Sequence, residues 1–227
     1  MKTLDKARAL AEAMVAIGRQ TGVRTEAVIT DMEAPLGASI GNALEIIECV
    51  ETLKGRGSRE LATVAHRLAS RMVVLAGLET TIDAAAMRVE RALTSGKALE
   101  TFTRMVEAQG GDPAFVDDYQ RLPTAPDRIR CNAPRSGVIT SIKAEAIGRA
   151  SNELGAGRNT VGDTVDHAVG IVLLVGVGHE VREGQSLIEV HHRGGRGLEA
   201  ALALCATAVG IGDTAPLPRP TIRGEVR

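Results

Sequence analysis

The sequence predicts a mixed fold, in which a helix-rich partial α/β segment precedes a C-terminal α+β domain with a half-barrel-like sheet. Three observations predict it. Residues 1–115 carry helical patterns around one short β-branched stretch. Residues 116–126 form a polar stretch with two prolines, which indicates a linker. Residues 127–227 change to short β-rich pieces separated by frequent glycine, which is typical of an α+β domain.

The first helix is predicted from an apolar face that repeats at helical spacing. Thr3 is placed to cap this helix, and Gly18 or Gly22 is placed to end it. Residues 25–30 are then short and β-branched, which predicts a buried strand. The apolar face consists of Leu4, Ala7, Leu10, Ala11, Met14 and Ile17.

More helices follow the predicted strand. Asn42 is predicted to cap the second helix, with Glu45 three residues later in a capping-box arrangement. Because a single strand among helices is not a stable unit, we expect this segment to belong to a larger sheet. The remaining helices are expected at about residues 59–76 and 82–93 and around Leu99, Phe102 and Met105.

The C-terminal domain is predicted to alternate strands and helices. A strand–turn–strand hairpin is expected at residues 169–192. Strands are also expected at residues 127–133, 136–142 and 221–226, and helices at residues 143–157 and 196–212.

Composition excludes several classes of function. Two Phe and one Tyr are the only aromatic residues and the net charge is −1, which argues against nucleic-acid binding. The uncharged run of residues 168–178 is too short to span a bilayer, and the charged N-terminus has no apolar signal core. Three dispersed cysteines without a CxxC pair indicate a reducing compartment. We therefore expect a cytoplasmic protein without a membrane partner.

Residues 175–190 carry the alternation of apolar residues and glycine found in half-barrels that hold biotin or lipoate. Such carriers need a lysine at the hairpin turn, whereas His179, Glu180 and Arg182 occupy it here. A β-sandwich-like structural half-barrel is therefore the favoured interpretation.

Two short motifs admit a binding role and a structural one. Gly155 and Gly157 before Arg158 offer a phosphate cradle, but they follow a predicted helix and are better explained as a helix stop. Asp163 and Asp166 are either paired carboxylates or turn residues, and the sequence leaves both interpretations open.

The histidines give no metal site by spacing. His191 and His192 are adjacent and point to opposite faces of a strand, which makes them a poor chelating pair. His66 lies on a helix without a nearby Cys or second His. Surface or core histidines are the favoured interpretation for all three.

Residues 30–48, "TDMEAPLGASIGNALEIIE", form the most unusual loop in the sequence. Pro35 restricts the backbone, while Gly37 and Gly41 allow unusual angles that turn carbonyls inward. Glu48 can reach back from the following helix. Carbonyls and a carboxylate are hard oxygen ligands for K⁺, Ca²⁺ or Mg²⁺, although caps and turns explain the same residues.

The same loop closely resembles the corresponding segment of the pyrimidine nucleoside phosphorylases, the thymidine phosphorylase family. The resemblance implies an α/β domain followed by a C-terminal α+β domain in a homodimeric pentosyltransferase of pyrimidine nucleoside salvage. Its reaction is the reversible phosphorolysis of a pyrimidine nucleoside, with phosphate as co-substrate, to free base and pentose 1-phosphate. Further matching segments, in order, are "SGKALETFTRMVEAQGGDP", "LGAGR", "DTVDHAVGIVL" and "VREGQSLIEVHH".

Some family motifs have no counterpart in this sequence. These are the Lys-x-Ser-x-Gly-Gly phosphate loop and the Arg, Ser and Lys that bind the base, while "MKT" at residue 1 matches an internal family stretch. The resemblance therefore implies a C-terminal half that lacks its N-terminal half and is inactive alone. It carries no catalytic residue and no organic-cofactor residue over to this chain.

The family's monovalent-cation site does carry over in part. The resemblance places its ligands on the backbone carbonyls of Leu36 and Ser39 and on the carboxylate of Glu48. The remaining ligands belong to the absent phosphate loop, so a K⁺-like cation meets an incomplete site here.

Two other functions stay open. The chain is alternatively a non-catalytic module that complements a separate N-terminal half. A free-standing regulatory β-domain is the third hypothesis, and it requires the first 110 or so residues to fold alone.

Overall fold

The structure is a computed structural model that describes residues 3–158 and 160–227; Met1, Lys2 and Asn159 lie outside the description. The chain divides into two compact units. The first unit draws its described residues from Met1–Asp31, Ser58–Glu100 and Pro218–Arg227. The second consists of Met32–Gly57 and the described residues of Thr101–Leu217.

Within these described residues the chain forms seven α-helices and nine β-strands, which confirms the predicted mixture of helix and sheet. None of the described helices combines the length and apolar character that a bilayer crossing needs. The helices are α1 (Leu4–Gln20), α2 (Asn42–Leu53), α3 (Arg59–Leu75), α4 (Ile82–Thr94), α5 (Lys97–Ala108), α6 (Ala144–Glu153) and α7 (Leu198–Ala208). The strands are β1 (Ala27–Thr30), β2 (Ser39–Ile40), β3 (Asp127–Asn132), β4 (Gly137–Ile142), β5 (Gly170–Leu173), β6 (Glu180–Val181), β7 (Ser186–His192), β8 (Val209–Gly212) and β9 (Ile222–Val226).

In the first unit, local capping determines where the helices begin. The hydroxyls of Thr3, Ser58 and Thr81 each accept the backbone N–H three residues farther on, at 3.2 or 3.3 Å. Each side chain thereby satisfies one of the N–H groups that a helix start leaves unpaired. The predicted cap of α1 is confirmed.

The β1 strand is not alone, because β9 pairs with it in antiparallel orientation. The register runs from Ala27 opposite Val226 to Thr30 opposite Ile222, with an irregularity after Ile29. Only Ile29 of β1 is fully buried, so the expectation of a buried strand holds at that position alone. The partner strand β9 lies near the opposite end of the sequence. A local sequence pattern therefore does not predict that these two strands pair.

An ion-pair cluster holds β9 against α3. Arg67 Nε donates to Glu225 Oε1 at 2.6 Å, and Arg71 donates to the other oxygen of Glu225. Arg71 also lies 3.5 Å from Glu26, and its side chain is 7% exposed. Breaking such a cluster leaves a charge partly desolvated, so these contacts stabilise the β1–β9 sheet in its place.

We expect Glu225→Gln to lower the stability of the first unit by about 1 kcal/mol at neutral pH and to flatten its acid dependence. Burial raises the pKa of Glu225, but hydrogen bonds from Arg227 and Arg67 outweigh burial and bring the pKa below its ordinary value. A depressed carboxyl pKa stabilises the fold above the unfolded-state value, and this stabilisation is lost as the pH falls through the folded-state value. Thermal unfolding between about pH 3 and about pH 7 measures the effect.

The control for this prediction is Glu12→Gln, because Glu12 is exposed on α1. The wild type and this control should share one acid profile, and Glu225→Gln should depart from it. Parallel profiles for all three proteins would show that the Glu225 cluster adds nothing to acid stability.

The second unit contains two antiparallel sheets and the helices α6 and α7. One sheet has the order β2-β5-β7-β3 and the other has the order β6-β4-β8, so the described strands form separate sheets and close no barrel. The side chains most completely buried between these elements are Ile139, Ile147, Leu154, Ile171, Ile188, Val169, Val190 and Cys205.

The end of α7 differs from the prediction. A helix was expected to continue to residue 212, but α7 ends at Ala208 and residues 209–212 form β8. Val209 pairs with Ile142 and Ile211 with Ile139, which places two β-branched side chains in a sheet. The pairing with β4 therefore overrides the helical pattern that runs up to Ala208.

The stretch predicted as a linker is attached to α2. One 3₁₀ turn, Pro113–Val116, ends at the first residue of this stretch, and a second, Tyr119–Arg121, lies within it. The Tyr119 hydroxyl donates to Glu51, and Lys54 Nζ donates to the carbonyl of Val116. The two compact units are each built from separate segments of the chain, so they do not correspond to the predicted consecutive domains. The predicted boundaries of the domains and the linker therefore stay a prediction.

Candidate functional site

The candidate site is built on residues 33–41, which we call the Glu48 loop. Its first carbonyl, that of Glu33, accepts the backbone N–H of Ala144 at 3.1 Å. The carbonyl of Ala38 accepts the N–H of Leu173 at 2.7 Å. The loop also contains β2, which pairs with β5 and which the sequence analysis missed because it is only two residues long. The loop is thus tied to α6 and to the four-stranded sheet within one compact unit.

Glu48 on α2 clamps the middle of the loop. Its Oε1 accepts the N–H of Ala38 at 2.8 Å, and its Oε2 accepts the N–H of Ser39 at 3.0 Å. Hydrogen bonds to a carboxylate are about twice as strong as neutral ones, so the pair sets the position of the loop relative to α2. Because peptide planes are trans, the carbonyl of Gly37 points away from Glu48.

Ser39 turns a second backbone group toward Glu48. Ser39 lies opposite Val172 in the β2–β5 pair, and its N–H points to Glu48 rather than to β5. The N–H and carbonyl of one strand residue project from the same edge of the strand. The Ser39 carbonyl therefore leaves β2 on the edge that faces the Glu48 carboxylate.

The first glycine of the loop makes room for the carboxylate. A Cβ on Gly37 would lie 2.4 Å from Glu48 Oε2 and 2.9 Å from its Cδ. Gly37 is not among the glycines with positive φ, so the expectation of an unusual backbone angle is wrong for this position. The space left by its missing side chain, and not its backbone freedom, is what the Glu48 carboxylate uses.

The second glycine allows two backbones to cross. Gly41 has a φ of 140°, and a Cβ there would lie 2.6 Å from the carbonyl oxygen of Val169 and 2.9 Å from Gly170 Cα. Gly170 has a φ of 157°, and its own Cβ would lie 2.4 Å from the carbonyl oxygen of Ile40. The loop therefore needs glycine on both sides of this crossing.

The start of α2 differs from the prediction at one residue. Gly41 is the N-cap and Asn42 is the first helical residue, so the predicted Asn42 cap is wrong. Glu45 does reach back as expected, since its Oε1 accepts the N–H of Gly41 at 3.1 Å. The Asn42 side chain instead donates to the carbonyl of Ala156 at 2.8 Å, a tertiary partner that outweighs the local cap.

The structure brings the predicted ligand residues Ser39 and Glu48 together, and Leu36 lies half-buried three residues before Ser39. In the described part of the chain, no group of three or more His, Cys, Asp or Glu side chains is placed to hold a metal ion. A site built mainly from carbonyls has no such signature. The assignment of Leu36, Ser39 and Glu48 as cation ligands stays a prediction.

Comparison with known proteins reveals the relationship of the whole chain. Residues 138–212 match the pyrimidine nucleoside phosphorylase C-terminal domain, and residues 1–99 match the glycosyl transferase family a/b domain. The chain is 47% identical over 191 residues to a pyrimidine-nucleoside phosphorylase of Staphylococcus aureus (strain NCTC 8325 / PS 47). It is 48% identical over 191 residues to the enzyme of that name from Staphylococcus haemolyticus (strain JCSC1435). The chain belongs to the pyrimidine nucleoside phosphorylase family.

The matches cover most of this chain but only part of each relative. Each alignment covers 84% of this chain and 44% of the relative, so the chain spans less than half the length of these family members. The two matched domains lie in order and leave residues 100–137 between them.

The other candidate motifs have structural roles. Asp163 accepts from the N–H and the hydroxyl of Thr160, both at 2.8 Å. Asp166 accepts from the N–H of Ala168 at 3.0 Å and from Arg193 Nε at 2.7 Å. The two carboxylates hold separate partners, which favours the turn interpretation over an acid–base pair.

The glycines after α6 end the helix as predicted. Gly155 has a φ of 99°, and its N–H donates to the carbonyl of Asn152 at 2.9 Å. A Cβ on Gly157 would lie 2.0 Å from the side-chain oxygen of Asn152. These contacts assign both glycines to the helix end.

The paired histidines of β7 point to different partners. His191 is 5% exposed, and its Nε2 lies 3.0 Å from Glu189 Oε1; burial lowers its pKa. The N–H of Gly195 donates to His192 Nδ1 at 3.3 Å. His191 is thus a core histidine and His192 a half-buried one that accepts a backbone N–H, which agrees with the structural interpretation that the sequence favoured.

His66 lies in an open cleft that the sequence analysis did not predict. The cleft has a volume of about 740 Å³ and lies in the first unit, between α3 and α4. His66 Nε2 is 3.8 Å from Glu90 Oε2 at its wall. The wall mixes both charges with alanine and leucine, so it does not select one ligand chemistry.

Proposed function

We propose that this chain forms the C-terminal part of a pyrimidine nucleoside phosphorylase. The completed enzyme would convert a pyrimidine nucleoside and phosphate reversibly to free base and pentose 1-phosphate. The observation that carries the proposal is the in-order match of both family domains, together with 47% identity over 191 residues to a relative that bears this name.

In the proposed enzyme, the Glu48 loop supplies one side of a monovalent-cation site. The ligands on this chain are the carbonyls of Leu36 and Ser39 and the carboxylate of Glu48. Hard oxygen donors fit a K⁺-like ion, and the shared orientation of the Ser39 carbonyl and Glu48 supports the assignment. The bound ion supplies positive charge that links this loop to a segment carrying the phosphate loop.

In this proposal, the residues of this chain hold the Glu48 loop in position and take no direct part in the phosphorolysis. Glu48 holds the loop on α2, and the Gly41–Gly170 crossing holds it on β5. The Lys-x-Ser-x-Gly-Gly motif for phosphate is absent from the sequence. We infer that the isolated chain is inactive, because positioning of phosphate and stabilisation of the departing base provide most of such catalysis.

A non-catalytic module that completes the enzyme in trans is the second candidate function. Leu10, Met14 and Ile17 lie along one side of α1 and are 47%, 54% and 59% exposed. An exposed apolar stripe of this kind favours a protein partner. The partner under this proposal is a separate N-terminal half, and the homodimeric assembly and cytoplasmic location belong to the same proposal.

We expect purified chain to release no free base from thymidine or uridine in the presence of phosphate. Co-expression with an N-terminal half that carries the phosphate loop should give a stable complex and phosphate-dependent release of base. Liquid chromatography of the reaction mixture measures thymine or uracil.

The outcomes separate the two candidate functions. Turnover by the isolated chain would contradict its predicted inactivity. A complex with restored activity supports complementation in trans, whereas no association favours a plain part of a longer enzyme. Met14→Lys in the co-expressed chain tests the α1 stripe, with Ala13→Lys as a control on the same exposed helix.

A further inference from the structure

The two-stranded sheet of the first unit has an open edge on β1. Within the described residues β1 pairs with β9 alone, so the outer edge of β1 has no strand partner there. The N–H of Asp31 donates to the carbonyl of Thr221 at 2.8 Å, so the backbone of Asp31 faces the β9 side. Because backbone groups alternate along a strand, Ile29 also faces β9, and the N–H and carbonyl groups of Val28 and Thr30 point to the outer edge.

The two strands of this sheet differ in charge. The strand β1 has the uncharged sequence Ala-Val-Ile-Thr, whereas β9 carries Arg223 and Glu225. Charged side chains are a common protection of a free strand edge against pairing with another chain. By this criterion β9 is protected and β1 is not, so the outer edge of β1 is suited to accept another strand.

Helices cover both faces of the same sheet. A Cβ on Gly224 would lie 3.2 Å from Arg8 Nη2 of α1, and Gly224 lies opposite Ile29, so this face of the sheet belongs to α1. Glu225 points to the other face, where it binds Arg71 of α3. A strand added beside β1 therefore joins a layer that has a helix on each face.

The helix α1 is wide enough to cover such a strand. It packs more against β1 than against β9. Strands lie about 4.8 Å apart and a helix is about 10 Å wide, so a helix over β1 also covers the space of one further strand. The exposed apolar stripe of α1 borders the buried face of the helix, because Leu10 and Met14 directly precede the buried Ala11 and Val15. Apolar side chains of an added strand would be buried against this helix.

The connection between α1 and β1 sets the direction of the added strand. Residues 21–26 join the helix to the strand, a length typical of α/β units. A helix that packs on a sheet and leads into a strand in this way is the second half of a β–α–β unit, whose first strand is parallel to the second. Parallel strands with helices on both faces are continuous apolar runs.

We propose that the outer edge of β1 binds a continuous apolar strand of the separate N-terminal half, which adds parallel to β1 through the N–H and carbonyl groups of Val28 and Thr30. The inference rests on the proposed complementation in trans and names the contact that joins the two halves. The family match supports this occupant. Residues 1–99, which contain β1, match the a/b domain, and the aligned part covers only 44% of each relative.

The test compares the exchange of single backbone amides, followed by NMR, in the purified chain and in its complex with a co-expressed N-terminal half. In the purified chain, the amides of Val28 and Thr30 should exchange faster than those of Ile29 and Asp31, which face β9. In the complex, the Val28 and Thr30 amides should exchange about a hundredfold more slowly than in the purified chain. The Ile29 amide should change little.

A proline substitution tests the same edge by binding. Val28→Pro removes an outward N–H and keeps the hydrogen bonds to β9, and proline is tolerated at such edge positions. We expect this variant to retain about tenfold less of the N-terminal half in a pull-down, with a melting temperature of the isolated chain close to that of the wild type. Arg24→Pro is the control, because Arg24 is exposed and precedes β1, and it should bind like the wild type.

The outcomes separate this inference from the proposed function. A complex whose Val28 and Thr30 amides exchange as in the purified chain would overturn the strand addition and leave complementation intact. Equal retention by Val28→Pro and the wild type would contradict the strand addition as well. No complex with the wild type would overturn both. If Val28→Pro does not fold, amide exchange in the wild type decides alone.

Discussion

Replacing Gly41 with alanine is expected to lower the stability of the second unit by about 3 to 5 kcal/mol. Alanine at a φ of 140° strains the backbone, and its Cβ would lie 2.6 Å from the carbonyl oxygen of Val169. The same Cβ would lie 2.9 Å from Gly170 Cα. Both of these neighbours are backbone atoms, so no flexible side chain can move aside to relieve the clash. Thermal unfolding followed by circular dichroism should show a melting temperature lower by roughly 10 °C.

Gly148 provides the matched control for this substitution. It lies within α6, and a Cβ there meets no atom within 4 Å. Gly148→Ala is expected to raise stability by about 0.5 to 1 kcal/mol, because alanine is a better helix former than glycine. Equal melting temperatures for Gly41→Ala and the wild type would mean that the loop does not cross β5 as described.

The substitution Glu48→Gln is expected to lower stability by about 1 to 3 kcal/mol and to weaken cation binding in the completed enzyme. A glutamine side chain has one acceptor oxygen, so it cannot accept both the Ala38 and Ser39 N–H groups that Glu48 accepts at 2.8 and 3.0 Å. The amide nitrogen then faces a backbone N–H, and the negative charge offered to the ion is lost. The measurements are the unfolding midpoint of the chain and a potassium titration of phosphorolysis in the complemented enzyme.

Glu45→Gln is the control for the Glu48 experiment. Glu45 uses a single oxygen to accept the N–H of Gly41, which the glutamine oxygen can also do. This control should keep its stability and its potassium dependence. If Glu48→Gln destabilised the chain but left the potassium dependence unchanged, the clamp would stand and the cation assignment would be wrong.

Helix positions were predictable because their signals are local. The caps at Thr3, Ser58 and Thr81 lie within one turn of the helix starts that they satisfy. Gly155 ends α6 through contacts with the preceding turn. The sequence alone therefore located most helices to within a residue or two. The assignment of Leu36, Ser39 and Glu48 as cation ligands came from the family resemblance and stays a prediction.

Local signals failed where a distant partner offered a better contact. Asn42 satisfies the Ala156 carbonyl instead of capping α2, and residues 209–212 leave the helical pattern to pair with β4. The partner of β1 was not predictable either, because β9 lies almost at the other end of the chain. A strand pairing depends on which edges the fold brings together, and helix periodicity carries no information about that.

By itself the sequence determined the family, the mixed α and β composition and the acidic, glycine-bearing character of residues 30–48. Motif order and helical periodicity depend on residues that are close in the sequence, so they can be recognised from the sequence alone. Only the tertiary structure decided that Glu48 accepts two loop N–H groups and that Gly41 crosses Gly170. Each of these contacts joins separate elements, and packing and hydrogen bonding of the folded chain bring them together.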